Sequence, residues 1–111
     1  MSEVQEYTDI TDDDAIEDNK CVSINVNGVD VIVIRSQGDL YCLEDRCSHA
    51  FSPLTGGRIR NGKIMCPLHG ARFEIATGKH IGPQHYGTIA SFPIRVRDGR
   101  VEVAVKAQPV S

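Results

Sequence analysis

The chain has 111 residues, a formal net charge of −3, 41% hydrophobic residues and no tryptophan. That length suits one domain spanning 1–111, and a core this small gains from a bound metal centre. Without a long basic run, nucleic acid is not expected as a partner. The longest apolar run, about Val29 to Ile34 and interrupted by Asp30, is far too short to span a membrane. The acidic, polar start from Met1 to Glu6 does not read as an export signal, so a cytoplasmic location is expected. In a chain that is not exported, four cysteines point to metal binding more than to disulfides.

Ten glycines and five prolines, with many Val and Ile, predict an all-β chain of short strands joined by turns. Residues 1 to 19 begin with a strand near Val4 to Tyr7. They continue through Asp9, Asp12, Asp13, Asp14, Glu17 and Asp18, either a solvated segment or an acidic docking patch. One helical turn fits between Asp12 and Asn19. Residues 20 to 44 read as an antiparallel meander. Cys21 to Val26 alternates, Asn27-Gly28 is a type I′ turn signal, Val29 to Arg35 is more continuously apolar, and Gln37-Gly38-Asp39 turns into Leu40 to Leu43. Cys21 and Cys42 lie inside these strands and read as small buried hydrophobes.

Residues 45 to 58 form a loop by composition, and Asn61-Gly62 marks a second hairpin between Ile59-Arg60 and Lys63 to Met65. Cys66 opens another loop, Ala71 to Ile75 reads as a strand, Thr77-Gly78 as a turn, and Gly82-Pro83 opens a third loop. Ile89 to Val96 alternates in part, with Pro93 favouring an edge or bulge. Asp98-Gly99 turns into a last strand with Val101, Val103 and Val105 on one face.

Two cysteine–histidine pairs stand out, Cys47-Ser48-His49 and Cys66-Pro67-Leu68-His69, with sixteen residues between them. Structural zinc sites space their first two ligands by two to four residues, so the single residue inside Cys47-Ser48-His49 is tight for one tetrahedral ion. It is comfortable if each pair gives one ligand to each of two metals. Soft thiolates favour iron–sulfur chemistry and imidazole also suits iron, which a [2Fe–2S] cluster with two thiolates on one iron and two imidazoles on the other would satisfy. A zinc-stabilised interaction module is the competing reading.

These residues carry the Rieske signature, and the flanking Gly70, Phe73, Thr77-Gly78 and Gly82-Pro83 resemble that family too. The likeness runs from about Val22 to Val105 and is nearest to the small Rieske ferredoxins of bacterial aromatic-ring oxygenases. The resemblance implies that Cys47 and Cys66 ligate one iron and His49 and His69 the other. It implies two ligand loops at one tip of an all-β fold, covered by the Gly82-Pro83 loop. The cluster-binding part would be about 45–84, inserted in a β base of about 1–44 and 85–111. His80 and His85 are left as surface histidines near the cluster.

With two ferric ions, two sulfides, two thiolates and two neutral imidazoles, the centre's formal charge is about zero, so it accepts an electron more readily than an all-thiolate cluster does. High-potential relatives add a loop–loop disulfide, and a serine and a tyrosine that donate toward the cluster. Here Leu68, Ala71 and Phe73 stand at matching positions, so a low potential is expected.

The resemblance implies a soluble carrier, not an enzyme itself. It would pass single electrons from a flavoprotein ferredoxin reductase to a terminal aromatic-ring-hydroxylating oxygenase, as a monomer. The alternative is a small Rieske-like subunit of another oxidoreductase, such as assimilatory nitrite reductase. An apolar collar of Phe51, Pro53, Leu54, Leu68 and Pro83 is expected around the histidines, with Arg46, Arg58, Arg72 and Lys79 at its rim.

Overall fold

The computed structural model describes residues 6–46, 53–67, 70–82 and 87–105. In chain order the strands are β1 (Thr8–Asp12), β2 (Lys20–Val26), β3 (Val29–Ser36), β4 (Asp39–Glu44), β5 (Arg58–Arg60) and β6 (Lys63–Met65). They continue as β7 (Arg72–Glu74), β8 (His80–Ile81), β9 (Ser91–Phe92), β10 (Ile94–Arg97) and β11 (Arg100–Val103), and one 3-10 turn spans Asp13–Ala15. The all-β expectation holds, and every strand pairing among the described residues is antiparallel.

Four hairpins turn on two residues with positive φ at both positions: Asn27-Gly28 (53° and 85°), Gln37-Gly38 (55° and 87°), Asn61-Gly62 (52° and 75°) and Asp98-Gly99 (53° and 75°). Such turns match the right-handed twist of the strands they join. They set the registers of β2 with β3, β3 with β4, β5 with β6, and β10 with β11.

Among the described residues the strands form three sheets, in the orders β1-β11-β10, β2-β3-β4-β9 and β5-β6-β7-β8. The middle of the molecule is β3. Its Val29, Val31 and Val33 pack with Ile16, Val26, Cys42, Val101, Val103 and Val105. Its Ile32 and Ile34 point the other way, into a cluster with Leu43, Leu54, Ile64, Cys66, Phe73 and Ile75. A strand covered on both faces must be apolar at consecutive positions, which is why β3 lacks the clean alternation of β11.

Pro93 separates β9 from β10. β9 pairs with β4 in the central sheet, and β10 pairs with β11 in the outer one. Proline cannot donate to a ladder, so the chain changes sheet there, while the Pro93 carbonyl still accepts from the Ala104 amide at 3.0 Å.

The N-terminal reading needs correction. Among the described residues the first strand starts at Thr8, and Tyr7 lies beneath the Arg95 guanidinium, 3.8 Å from the ring centroid. Val4, the expected start of that strand, lies outside the described residues. The acidic side chains are largely engaged within the chain. Asp9 and Asp12 hold Arg100. Asp13 pairs with Arg35, and Asp18 accepts the Gly38 amide at 3.0 Å. Five of the six acidic residues from Asp9 to Asp18 are exposed, as a solvated segment would be, but the engagement of Asp9, Asp12, Asp13 and Asp18 with Arg35, Arg100 and the Gly38 amide means the segment is not an open acidic patch.

Hydrogen bonds from Arg100 hold the Asp9 carboxyl below its ordinary value of 3.8. Asp9 therefore takes up its proton at lower pH in the folded chain than in the unfolded one. Its stabilising effect is complete above the ordinary aspartate range and is lost as pH falls through the lowered value. Arg100→Gln is expected to flatten the acid limb of the urea midpoint plotted against pH. An unchanged limb would show that the β1–β11 contact does not depend on this pair.

Candidate metal centre

Cys66 is the one of the four proposed ligands among the described residues; Cys47, His49 and His69 lie outside them, as do Phe51, Leu68, Pro83 and His85. The backbone that frames both pairs is described, and it brings the two loops together.

Cys66 follows β6 directly. Its thiol is free, 1% exposed, and sits in the apolar cluster with Leu54, Ala71 and Phe73. Its amide donates to the Ala71 carbonyl at 2.7 Å, and the Gly70 amide donates back to the Cys66 carbonyl at 3.0 Å. Gly70 has φ 71°, which lets the chain reverse there without a side-chain clash. The turn from Cys66 to Gly70 is thus closed by its own backbone.

The first loop is closed by a side chain. Asp45, two positions before Cys47, is 9% exposed. One carboxylate oxygen accepts the amides of Leu54 (2.8 Å) and Thr55 (3.0 Å). The other accepts the hydroxyls of Ser23 (2.7 Å) and Thr55 (2.5 Å). The Asp45 amide donates to the Asp30 carbonyl at 2.9 Å. The Asp45 carboxylate therefore joins the loop's entry to its exit and to β2, while its amide moors the entry to β3. The sequence reading missed this role, because an aspartate in a Ser- and Gly-rich stretch signals a loop and does not name its partners.

Gly57 joins the two loops. Its amide donates to the Leu54 carbonyl at 2.9 Å. A Cβ at this position would stand 2.1 Å from the carbonyl oxygen of Met65, the residue before Cys66. Glycine is required here for room, so that the exit of the first loop lies against the entry of the second.

Other expected site residues divide. Leu54 is fully buried and belongs to the core, not to an exposed collar; Pro53 is exposed. His80 is half-buried, its ring edge-on to Phe73 with centroids 5.5 Å apart, so it is not a free surface histidine. Arg58, Arg72 and Lys79 are exposed, and Arg46 contacts Glu44 at 3.2 Å. Burial pushes the Cys42 thiol up to about 12, and burial likewise raises Cys21, against the opposing pull of the Gly56 amide. Both thiols stay protonated and serve as core residues.

Asp45→Ala strands four donors, three of them on the loop exit, and is expected to cost about 3 kcal/mol in denaturant unfolding, with Asp45→Asn costing about half of that. Gly57→Ala forces two backbones apart and is expected to cost about 2 kcal/mol. If either Ala variant changed stability by less than about 0.5 kcal/mol, the loops would not be held in this way.

Comparison with known proteins agrees with the framing. The family model described as the Rieske [2Fe-2S] domain matches residues 6–93. The ferredoxin component of the naphthalene 1,2-dioxygenase/salicylate 5-hydroxylase systems of Ralstonia sp is 28% identical over 97 residues, covering 87% of this chain and 93% of that protein. The anthranilate 1,2-dioxygenase ferredoxin subunit of Burkholderia cepacia is 35% identical over 75 residues, 68% of this chain and 69% of that one. Among solved structures, the ferredoxin of carbazole 1,9a-dioxygenase from Nocardioides aromaticivorans superposes with a TM-score of 0.81 at 26% identity, covering 89% of this chain and 99% of that one. With a buried free thiol on a backbone-closed turn beside a second, carboxylate-closed loop, and a family match over most of its length, the chain belongs to the Rieske [2Fe-2S] domain family, whose cofactor is one [2Fe–2S] cluster.

Proposed function

We propose that this protein is an electron carrier that delivers single electrons to a terminal aromatic-ring-hydroxylating oxygenase; its relatives are named as ferredoxin components of dioxygenase systems. The observation that carries the reading is the seat of Cys66. It is a free thiol excluded from water, on a backbone-closed turn pressed against the exit of the loop that holds the other pair. A thiol so placed suits a metal–sulfide group. Cys47 and Cys66 would hold one iron, and His49 and His69 the other. When bound, the cluster supplies reversible one-electron chemistry.

The chain's own residues do the rest. The Ile64, Phe73 and Ile75 side of the core keeps water from the thiol side of the site. Asp45 and Gly57 fix the loops in relation to each other, so little of the protein must move when charge arrives. Residues 45–84 would form the cluster-bearing part, within a base of 1–44 and 85–111. The electron source would be a flavoprotein reductase, and the carrier a monomer in the cytoplasm. Among the described residues, no helix is long and apolar enough to cross a membrane.

The potential should lie low. Ala71 and Phe73 are both buried beside Cys66 and neither has a hydroxyl to donate. The Gly70 amide is already engaged with the Cys66 carbonyl. Fewer donors to sulfur leave the reduced, more negative form less stabilised. Voltammetry is expected to give a midpoint in the lower part of the roughly −150 to +300 mV span of Rieske centres, and a midpoint well above zero would contradict this. Ala71→Ser, if its hydroxyl contributes about 1.5 kcal/mol to the reduced form, should raise the midpoint by about 60 mV. The functional reading itself is tested by mixing the reduced protein with a terminal oxygenase: re-oxidation by one electron per chain is expected, and a protein that stays reduced would overturn it.

A further inference from the structure

Charge is unevenly divided along this chain. Residues 46–97 hold eight of the twelve Lys and Arg but only one of the fifteen acidic residues, Glu74. The remainder holds four basic and fourteen acidic residues. The net charge of −3 hides this division.

The fold places much of the positive charge on one face. In the β5-β6-β7-β8 sheet, Arg58 lies opposite Met65, and Met65 opposite Arg72; in the next row, Arg60 lies opposite Lys63, and Lys63 opposite Glu74. Directly opposed residues share a face. The other face carries Ile59, Ile64 and Phe73, which pack into the core. Arg58, Arg60, Lys63 and Arg72 are all exposed, and among the described residues none of the four has an ion pair.

In the other sheets Arg35, Arg95 and Arg100 each hold a carboxylate, and the like-charge pair there, Arg97 opposite Arg100, is offset by the two aspartates on Arg100. Arg60 directly opposite Lys63 is a like-charge pair, which weakens a sheet. The fold gains nothing from it. Met65, in the middle of the Arg58–Met65–Arg72 row, immediately precedes the proposed ligand Cys66 in the chain, so this face lies next to one of the cluster loops.

We infer that the outer face of β5, β6 and β7 is the docking surface for an electron-transfer partner protein with an acidic face. This rests on the electron-carrier reading. A local cationic field of this kind raises the encounter rate with an acidic partner even when the whole protein is negative. The acidic remainder of the chain disfavours a long polyanion such as nucleic acid, whose backbone extends well past one small sheet.

The test uses two protein oxidants of opposite charge: plastocyanin, an acidic copper protein, and cytochrome c, a basic haem protein. Each takes one electron from the reduced protein, copper(II) becoming copper(I) and iron(III) becoming iron(II). Stopped-flow rates are followed from about 0.01 M to about 0.1 M salt, over which the screening length shrinks from roughly 30 to roughly 10 Å. The plastocyanin rate is expected to fall as salt rises. The double variant Arg58→Glu, Arg72→Glu should lower it about tenfold at low salt, while Arg58→Lys, Arg72→Lys retains it. The absorbance spectrum and unfolding midpoint of each variant confirm that it is folded and loaded.

A plastocyanin rate that rises with salt, as the net charge alone dictates, would overturn the proposal, as would a rate indifferent to charge reversal. A dimer at low salt that the reversed variant abolishes would assign the face to a second copy, and a DNA complex lost in the same variant would assign it to nucleic acid; either overturns the proposal. Failure to reduce both oxidants at every salt concentration would instead overturn the electron-carrier reading beneath it.

Discussion

The structure depends on β3 having no face for water. Its valines pack against the β1-β11-β10 sheet, and its isoleucines pack toward the β5-β6-β7-β8 sheet. Each fully buried Val or Ile contributes about 1.5–3 kcal/mol relative to exposure, so the two covering sheets are held by the same strand. Because side chains alternate across a strand, a slip of one residue would exchange the two sets and mismatch both cores. The flanking two-residue turns prevent that slip. This places the sheet that bears Cys66 on one side of the molecule and most of the engaged acidic residues on the other.

Upon that frame the site is positioned by polar and steric contacts more than by apolar area. Asp45 is nearly buried and accepts four hydrogen bonds, from Ser23, from the Leu54 amide and from both donors of Thr55. A buried carboxylate is tolerable when its oxygens are satisfied in this way. Gly57 then lets the loop exit touch the Met65 carbonyl. The protein thus has reasons of its own to hold both loops in place. A carrier benefits from that rigidity, since less reorganisation accompanies each electron.

Much of this was legible in the residues. The hairpins could be read because Asn-Gly and Asp-Gly adopt positive φ at low cost and glycine does so anywhere, a strictly local property. The metal chemistry could be read because cysteine and histidine at fixed spacing are rare outside such sites. What escaped depends on distant partners. The acidic stretch looked free because its partners, Arg35 and Arg100, are remote in sequence, and Arg100 lies on the last strand. Leu54 looked like a loop residue because nothing local shows that Asp45 draws its amide inward. Pro93 fits the edge position expected of it, since β9 and β10 both lie at sheet edges, but that the chain changes sheet there is a tertiary fact. The division of charge at residue 46 was in plain sight, but it acquired meaning only when the register put the cations on one exposed face.

The central claim is that two thiolates and two imidazoles share one cluster held between these loops. Pulsed electron paramagnetic resonance of the reduced protein tests it most directly. The account predicts couplings to two histidine nitrogens on one iron, one of them lost in His49→Cys or His69→Cys. A reduced signal without nitrogen coupling, or a colourless protein holding zinc, would contradict it.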